Sequence, residues 1–594
     1  MITKKIIYGI ALVLTTLYLS GCQSDLLDTT PYDKISSGNM WTSESLADQG
    51  VAGVYAILNR TRIGSHIWWD ENFAITTQKR DPWAMTQGTI KSNDAIFSDR
   101  WKSSYDMIHR ANDAIDNLQK VAPLTPEKKN RLIGECKFLR AYAYYCLNEV
   151  YKGVPVYLEP VEIKNATKGR ETEADVWKII IDDLTDCIGN PDLPNKYSKG
   201  NTNFGRATKA AAYALRGKVY MWTKEYAKAE ADFNMVGKLG HSLLQVNDYK
   251  MLFKEANEQS DEAIFSAQAI SVDGFGTDLQ LYLGSRVSYG ASGGGGWNHY
   301  LPSPDFVDSY ECKDGKPFNW DDFLPGYTSM TPRQRVVFFL RDGLTVAEED
   351  RFDAAGADMS KYLRNGNEAR IKKVYEQRDP RLMATIITPY STYYGCRDNL
   401  TANTYTLRWP YRNFASPTFD LITDTNTKFY YLYRKFVAEG TTEIVNRRYV
   451  PIDVPLIRYA DVLLLLAEAI NEQRFDPDAI SIVNQVRGRA GCALLQSTNG
   501  DLPTYVSGQD NLRERIRNER RWEFNMEGIN LFDELRWGTW HEKKFAPGSG
   551  EKQIWGELDG AGYFWPGDYY YKWAIPRTEV EMNSNIKQND GWLD

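Results

Sequence analysis

Apolar residues recur with helical spacing through much of this chain, and the stretches where that period fails are as informative as those where it holds. Val51, Val54, Tyr55 and Leu58 share one helical face. Thr125, Pro126 and Glu127 give a cap, a first-turn proline and an acid at the positive end of a helix dipole, and Leu132, Cys136, Leu139, Ala143 and Leu147 form the stripe that this helix buries. Thr172 and Asp175 have the spacing of a capping box before Val176, Ile180 and Leu184. Further on, ADVLLLLAEAINEQ is apolar on nearly every side, which predicts a helix deep in the core. It is too short to span a membrane.

Residues 206–240 say how such helices associate. Gly217, Tyr220, Tyr226, Ala229 and Phe233 fall at the spacing of a tetratricopeptide helix-turn-helix unit, in which a small residue on one helix admits a large one from the next. One unit cannot bury its own face, so others must stack on it. The partners expected are the helix through Arg140, Tyr144 and Leu147 and the helix from Val462 to Ile470. The fold class is therefore mostly α, a tetratricopeptide-like scaffold. Its helical period is lost over residues 271–450, where glycine- and proline-rich turns, short β-prone runs and scattered aromatics predict an inserted, loop-rich, partly β lobe. The scaffold is expected to occupy residues 44–270 and to be completed by residues 451–594, which include a helix pair through Arg487 and Arg517 to Trp537 and an aromatic tail, DYYYKWAIP.

The N-terminus bears on location. Lys4 and Lys5 precede an uncharged, mostly apolar run of 14 residues, and Leu19-Ser20-Gly21-Cys22 closes it. That length suits a signal-peptide core, and the small pair before a cysteine predicts a lipoprotein signal over residues 1–21, with Cys22 as the lipidated end and residues 22–43 as a polar tether. Cutting there removes two lysines and no acid, so the formal charge moves from −7 to −9. An acidic, exported chain is a poor partner for nucleic acid. Cys136, Cys146, Cys187, Cys312, Cys396 and Cys492 are widely spaced with no C-x-x-C pair, which predicts core thiols, neither a zinc site nor a dense disulfide framework.

Several segments, taken in order along the whole chain, resemble the SusD/RagB family of outer-membrane nutrient-binding lipoproteins of Bacteroidetes-type bacteria. They are the N-terminal box with Cys22; RWKSSYDMIHRAN, residues 100–112; KFLRAYAYYCLNEVYKGVPV, residues 137–156; RATKAAAYALRGKVYMWTKEYAKA, residues 206–229; IRYADVLLLLAEAINE, residues 457–472; NQVRGRAG, residues 484–491; IRNERRWEFNMEGINLFDELRWG, residues 516–538; and the closing residues 569–592. Asn530 departs from the base that the family often carries two residues after the glycine, and Glu534 and Leu535 stand where it has Leu-Arg. The resemblance implies about four tetratricopeptide-like units with an inserted binding lobe, on the outer face of the outer membrane. Such a protein holds an oligosaccharide or polysaccharide as a lid over a SusC-like TonB-dependent transporter. Asp25 and Asp28, just after Cys22, are compatible with the acidic signals that send such lipoproteins to the surface.

A sugar ring presents a hydroxyl edge and a face of C–H groups, so its binder needs flat aromatic platforms and a few hydrogen-bonding side chains. Aromatic content is high, at 13% with 37 Tyr and 17 Trp. Two loops supply rings. In HIWWDENFAITTQKRDPW the candidates are Trp68, Trp69, Asp70 and Trp83; the adjacent Trp68 and Trp69 would point to opposite sides of an extended chain, so one platform at most is expected of them. In SYGASGGGGWNHY the candidates are Tyr289, Trp297 and, more weakly, His299, with the glycines expected to let backbone approach a sugar. Trp320, Arg378, Tyr393 and Tyr394 are further candidates, chosen only for lying in the lobe. Trp101 and Tyr105 belong to a helix pattern and are expected in the core.

Catalysis is not expected. The chain has no H-E-x-x-H, G-x-S-x-G or Walker A motif and no obvious dinucleotide fingerprint, and its five histidines are dispersed. No cofactor is expected, with a structural calcium ion left open. The alternative function is a lid for peptide or other non-sugar cargo.

Overall fold

A computed structural model describes residues 40–592 except 82, 121–122, 289–294, 398–400, 441–442 and 444–445. The expectations for residues 1–21, the lipidated Cys22 and most of the tether lie outside the described residues. Helices dominate: α1 (Glu44–Tyr55), α2 (Ala95–Lys120), α3 (Pro126–Tyr151), α4 (Glu173–Gly189), α5 (Lys209–Trp222) and α6 (Tyr226–Lys238) come first, and α7 (Tyr459–Gln473), α8 (Pro477–Arg489), α9 (Gln509–Glu523) and α10 (Asn530–Trp537) follow after residue 450. From α2 to α6 each helix packs on the one before it, and α7 packs on α6, α8 and α9. The fold is mostly α and tetratricopeptide-like.

Local chemistry sets these elements. The Thr125 hydroxyl accepts from the Lys128 amide at 3.3 Å and Pro126 opens α3, which ends on Lys152 in the left-handed region. Gly217 of α5 is where α6 comes closest: a Cβ there would lie 2.5 Å from Cε1 of Phe233. Helix α7 is buried without interruption from Ala460 to Asn471. Its two buried acids are paired, Asp461 with Lys218 and Arg520 at 2.7 and 2.8 Å, and Glu468 with Arg536 at 2.6 Å. The six cysteines after Cys22 are buried, with Cys136 and Cys146 both inside α3. Trp101 is in the core, and Tyr105 packs against it with its hydroxyl on the Pro155 carbonyl at 2.7 Å.

The chain leaves and re-enters the helical stack at one place. Strand β2 (Ala263–Ala267) pairs antiparallel with β6 (Val454–Arg458), so some 185 intervening residues start and finish side by side. Between them lie short helices, turns and short strands, including β3 (Tyr300–Pro302) and the hairpin of β4 (Thr392–Cys396) with β5 (Ala402–Thr406). One pairing returns to the start of the chain: β1 (Thr77–Lys79) runs antiparallel to β3, with Gln78 opposite Leu301 and Lys79 opposite Tyr300. No helix among the described residues is long and apolar enough to cross a membrane.

The close approach at Gly217 gives a direct check of the stacking. Gly217→Val should destabilise the protein by about 1–3 kcal/mol, because the overpacked pair must separate, and a lowered denaturation midpoint would record it. An unchanged midpoint would mean that α5 and α6 do not meet there.

Candidate functional site

The β1–β3 pairing brings the two aromatic loops together. Before β1, residues 67–73 form a 3-10 turn that turns Trp68 inward and leaves Trp69 half-buried. The two indoles lie 5.9 Å apart at 71°, so they meet edge-on, unlike the opposed rings of an extended chain. Trp69 stacks on His66 at 4.6 Å and stands edge-on to Tyr282 at 5.5 Å. Tyr282 in turn meets Trp297 at 5.6 Å and 89°. On the other side, the Arg62 guanidinium sits 5.3 Å from the Trp69 ring and 5.9 Å from that of Trp83. The result is a row of half-buried rings, Trp83, Trp69, Tyr282 and Trp297, with Arg62 between the first two and His299 beside Tyr282 at 6.2 Å.

The row has a firm floor. Trp68 is fully buried beneath it, packed against Tyr300 at 5.3 Å and Tyr282 at 5.8 Å. Arg62 is fixed by Asp70 at 2.6 Å, and Asp70 also takes Arg100 at 3.1 Å. From below, Trp540 Nε1 donates to the Phe73 carbonyl at 2.6 Å and Lys544 Nζ to that of Thr77 at 2.7 Å, while Gln78 exchanges two hydrogen bonds of 2.8 Å with the Lys552 backbone. Glu71 accepts from Thr76 and Asn530 at 2.7 Å each. Asn530, which departs from the family pattern, thus ties this turn to the start of α10.

Gly295 and Gly296, the described end of the glycine run, serve the protein's own packing. A Cβ on Gly296 would lie 2.1 Å from the Gly284 carbonyl oxygen, and one on Gly295 would lie 2.3 Å from that of Arg286. This approach lets Trp297 and His299 donate backbone bonds to Leu281 and Tyr282 at 2.6 and 2.8 Å, which aims both rings. In these two glycines, then, backbone approaches backbone and not a sugar.

Charge is unevenly placed around the row. Lys79 Nζ caps the Trp83 ring at 4.2 Å. Arg80 reaches the Trp297 carbonyl at 3.1 Å and Asp424 at 2.5 Å, and Arg286 also pairs with Asp424. Burial, followed by the charges of Lys79 and Arg80, pushes the His299 imidazole down to about 4, so it is neutral at pH 7 and offers hydrogen bonds without charge. The Tyr282 hydroxyl and the indole N–H groups of Trp83 and Trp297 have no partner among the described residues, which leaves polar handles next to apolar faces.

Other candidates are placed elsewhere by the structure. Asp70 has both carboxylate oxygens engaged by Arg62 and Arg100 in full burial, so it serves the floor and not a ligand. Trp68 is core for the same reason of burial. Trp320 is 6% exposed, stacked on Tyr327 at 4.6 Å with Nε1 on Asp308 at 2.9 Å. Arg378 is buried, donating to the carbonyls of Val307 and Tyr310 with its guanidinium 3.3 Å from the Phe318 centroid. Tyr393 is buried, with its hydroxyl on Ala438 and Ser288. Tyr394 is exposed on β4, and no ring contact joins it to the row. Tyr289 lies outside the described residues. Tyr282 is the participant that sequence reasoning missed: LQLYLG reads as an apolar helical turn, and only the chain's return at Trp297 shows what that ring faces.

Comparison with known proteins fits this architecture. The family model described as the SusD family matches residues 261–592, more than half of the chain. The chain belongs to the SusD family. A second family model, described as starch-binding associating with outer membrane, matches residues 25–221. Among relatives, the chain is similar to the SusD-like protein P25 of Formosa agariphila, 25% identical over 589 residues that cover 95% of each. Among solved structures it is similar to a SusD-like carbohydrate binding protein from Bacteroides fragilis NCTC 9343, with TM-score 0.70, 25% identity and coverage of 92% of this chain and all of that one. A laminarin binding SusD-like protein shares the fold, with TM-score 0.62 at 20% identity over 93% of this chain and 100% of that one.

Floor and row should separate in stability. Trp68→Ala should cost about 3–5 kcal/mol as a buried indole truncation. Trp297→Ala should cost about 1–2 kcal/mol, since part of its surface is already in water. Chemical denaturation measures both, and an equal loss would place Trp297 in the core.

Proposed function

We propose that this SusD-family chain is a surface lipoprotein that captures an oligosaccharide or polysaccharide on the row of Trp83, Trp69, Tyr282 and Trp297, and hands it uncleaved to a SusC-like TonB-dependent outer-membrane transporter. The observation that carries the reading is the row itself: four half-buried rings with adjacent free hydroxyl and indole N–H groups, held over a buried floor. Such a surface suits ligands with alternating apolar faces and hydroxyl edges. The starch-binding description of the second family model and the laminarin-binding relative support a glycan, and the lipoprotein-type N-terminus ending at Cys22 supports anchorage. The function needs no cofactor and no catalytic residue.

In this account residues 271–450 are the inserted part that faces ligand, and residues 44–270 and 451–594 are the scaffold that carries it. The insertion contributes Tyr282 and Trp297, while Trp69 and Trp83 come from the scaffold side, so the ligand lies across the seam. Two or three stacked rings with a few hydrogen bonds would bind at about −4 to −8 kcal/mol, between about millimolar and micromolar. Capture of that strength also permits release.

Affinity electrophoresis of residues 23–594 through gels containing plant, fungal and host polysaccharides should show retardation by one polymer class without release of reducing sugar. Trp297→Ala should weaken that binding roughly 10- to 30-fold, the loss of about 2 kcal/mol expected of an aromatic anchor. Retardation by no polymer would move the assignment to peptide or other non-sugar cargo.

A further inference from the structure

Cations without an ion pair among the described residues stand beside the ring row, at Trp83 and near Tyr282. At Trp83 is Lys79, whose ammonium lies 4.2 Å from the ring centroid and forms no ion pair among the described residues. Burial lowers its pKa to about 8, with Asp81 opposing and Arg80 adding to the effect. A partly desolvated ammonium whose only opposing charge is the exposed Asp81 is costly, and an anion arriving beside it lowers that cost. Near Tyr282 are Arg60 and Arg448. Arg60 Nη2 spends one donor on the Arg448 carbonyl at 3.2 Å, and the Arg448 side chain is exposed. Neither has an ion-pair partner among the described residues. Both charges reach the Tyr282 phenol, where burial and Asp278 raise the pKa and Arg448 and Arg60 pull it back.

The acids nearby do not balance these groups. Asp424 already holds Arg80 and Arg286. Asp278 faces His66 at 3.3 Å. Asp81 is 64% exposed at its side chain and lies 3.6 Å from Arg80. Lys79, Arg60 and Arg448 therefore remain as surplus positive charge along an aromatic face, in a chain whose net formal charge is −7. Lys79 also bears on what the Trp83 face accepts: a neutral sugar stacking there must displace an ammonium from the ring, whereas a sugar with an anionic substituent can stack beside it and pair with it.

We propose that the glycan held by this row is anionic, its sugar rings on Trp69, Tyr282 and Trp297 and its carboxylate or sulfate groups on Lys79 beside Trp83 and on Arg60 with Arg448 beside Tyr282. This rests on the row being the glycan site. Coulombic pairing of this kind at half-exposed positions weakens with salt, while stacking does not.

The test is affinity electrophoresis of residues 23–594 in gels containing polygalacturonate or alginate, which carry carboxylates, carrageenan, which carries sulfate esters, and laminarin or starch, which are neutral, each at low and high sodium chloride. The expected result is retardation by a carboxylated or sulfated polymer, reduced at least several-fold by high salt. Which of the two polymer types retards the protein identifies the anion. Lys79→Met should weaken retention about tenfold and Arg448→Gln about 3- to 10-fold, the second at an exposed position where folding is not at stake. Lys178→Met, on the exposed face of α4, should change nothing. Retardation by neutral polymers alone, or retention by an acidic polymer that neither salt nor either variant weakens, overturns the anionic assignment and leaves the glycan reading standing. Retardation by none of them overturns both.

Discussion

The Glu523 carboxylate is the point on which the parts of this molecule converge. It lies fully buried at the end of α9 and receives guanidinium groups from three directions: Arg381 from the inserted residues, at 3.2 Å, Arg458 from the end of β6, at 2.9 Å, and Arg489 from the end of α8. Burial alone would raise its pKa, but Arg489, Arg458 and Arg381 hold it well below the usual carboxylate range. The same cations reach neighbouring acids: Arg381 takes Asp379 and Glu519, Arg458 takes Glu262 and Glu527, and Lys435 pairs with Glu527 at 2.6 Å. Removing one member of such a cluster strands charge in a dry interior, a loss of about 3–5 kcal/mol, so the cluster fixes relative position more firmly than its net contribution to stability suggests. What it positions is the segment between β2 and β6 against α8 and α9.

That constraint matters because the ring row is built from both sides of the seam. Trp69 and Trp83 belong to the turns before and after β1, and Tyr282 and Trp297 to the residues leading into β3. Were the inserted residues free to tilt, Trp69 and Tyr282 would separate and the row would break in the middle. Glu71 adds a second tie, from the Trp69 turn to Asn530 and the Met526 amide between α9 and α10. Platforms held in this way lose little freedom when a ligand arrives, so a modest contact area can still give useful affinity.

The helical stack was legible in the sequence because close packing leaves one-dimensional marks. Gly217 and Phe233 sit at the spacing their contact requires, and the apolar run from Val462 to Ala467 can only be a buried helix. The ring row was half legible. Trp69, Trp83 and Trp297 stand out as indoles in turn-rich stretches, but Tyr282 lies in a run that reads as ordinary core. Asp70 was a candidate for its place in the aromatic stretch and Arg378 only for lying in the lobe, and nothing in the sequence shows that both are already engaged. Their partners are remote in sequence, Arg100 for Asp70 and the carbonyls near Val307 and Tyr310 for Arg378. The run of glycines next to Trp297 was ambiguous for a related reason: close approach leaves the same mark whether the approaching group is a sugar or, as with Gly284, another stretch of backbone.

The central claim is that ligand binds across this seam and not along the helices of the stack. Amide hydrogen exchange on the intact protein, with and without a saturating oligosaccharide of the polymer that retards it, tests this most directly. The account predicts slowed exchange confined to the β1 and β3 strands, the Trp69 turn and the backbone around Tyr282 and Trp297, with the helical stack unchanged. Protection along α2 to α6 with none at the row would contradict it.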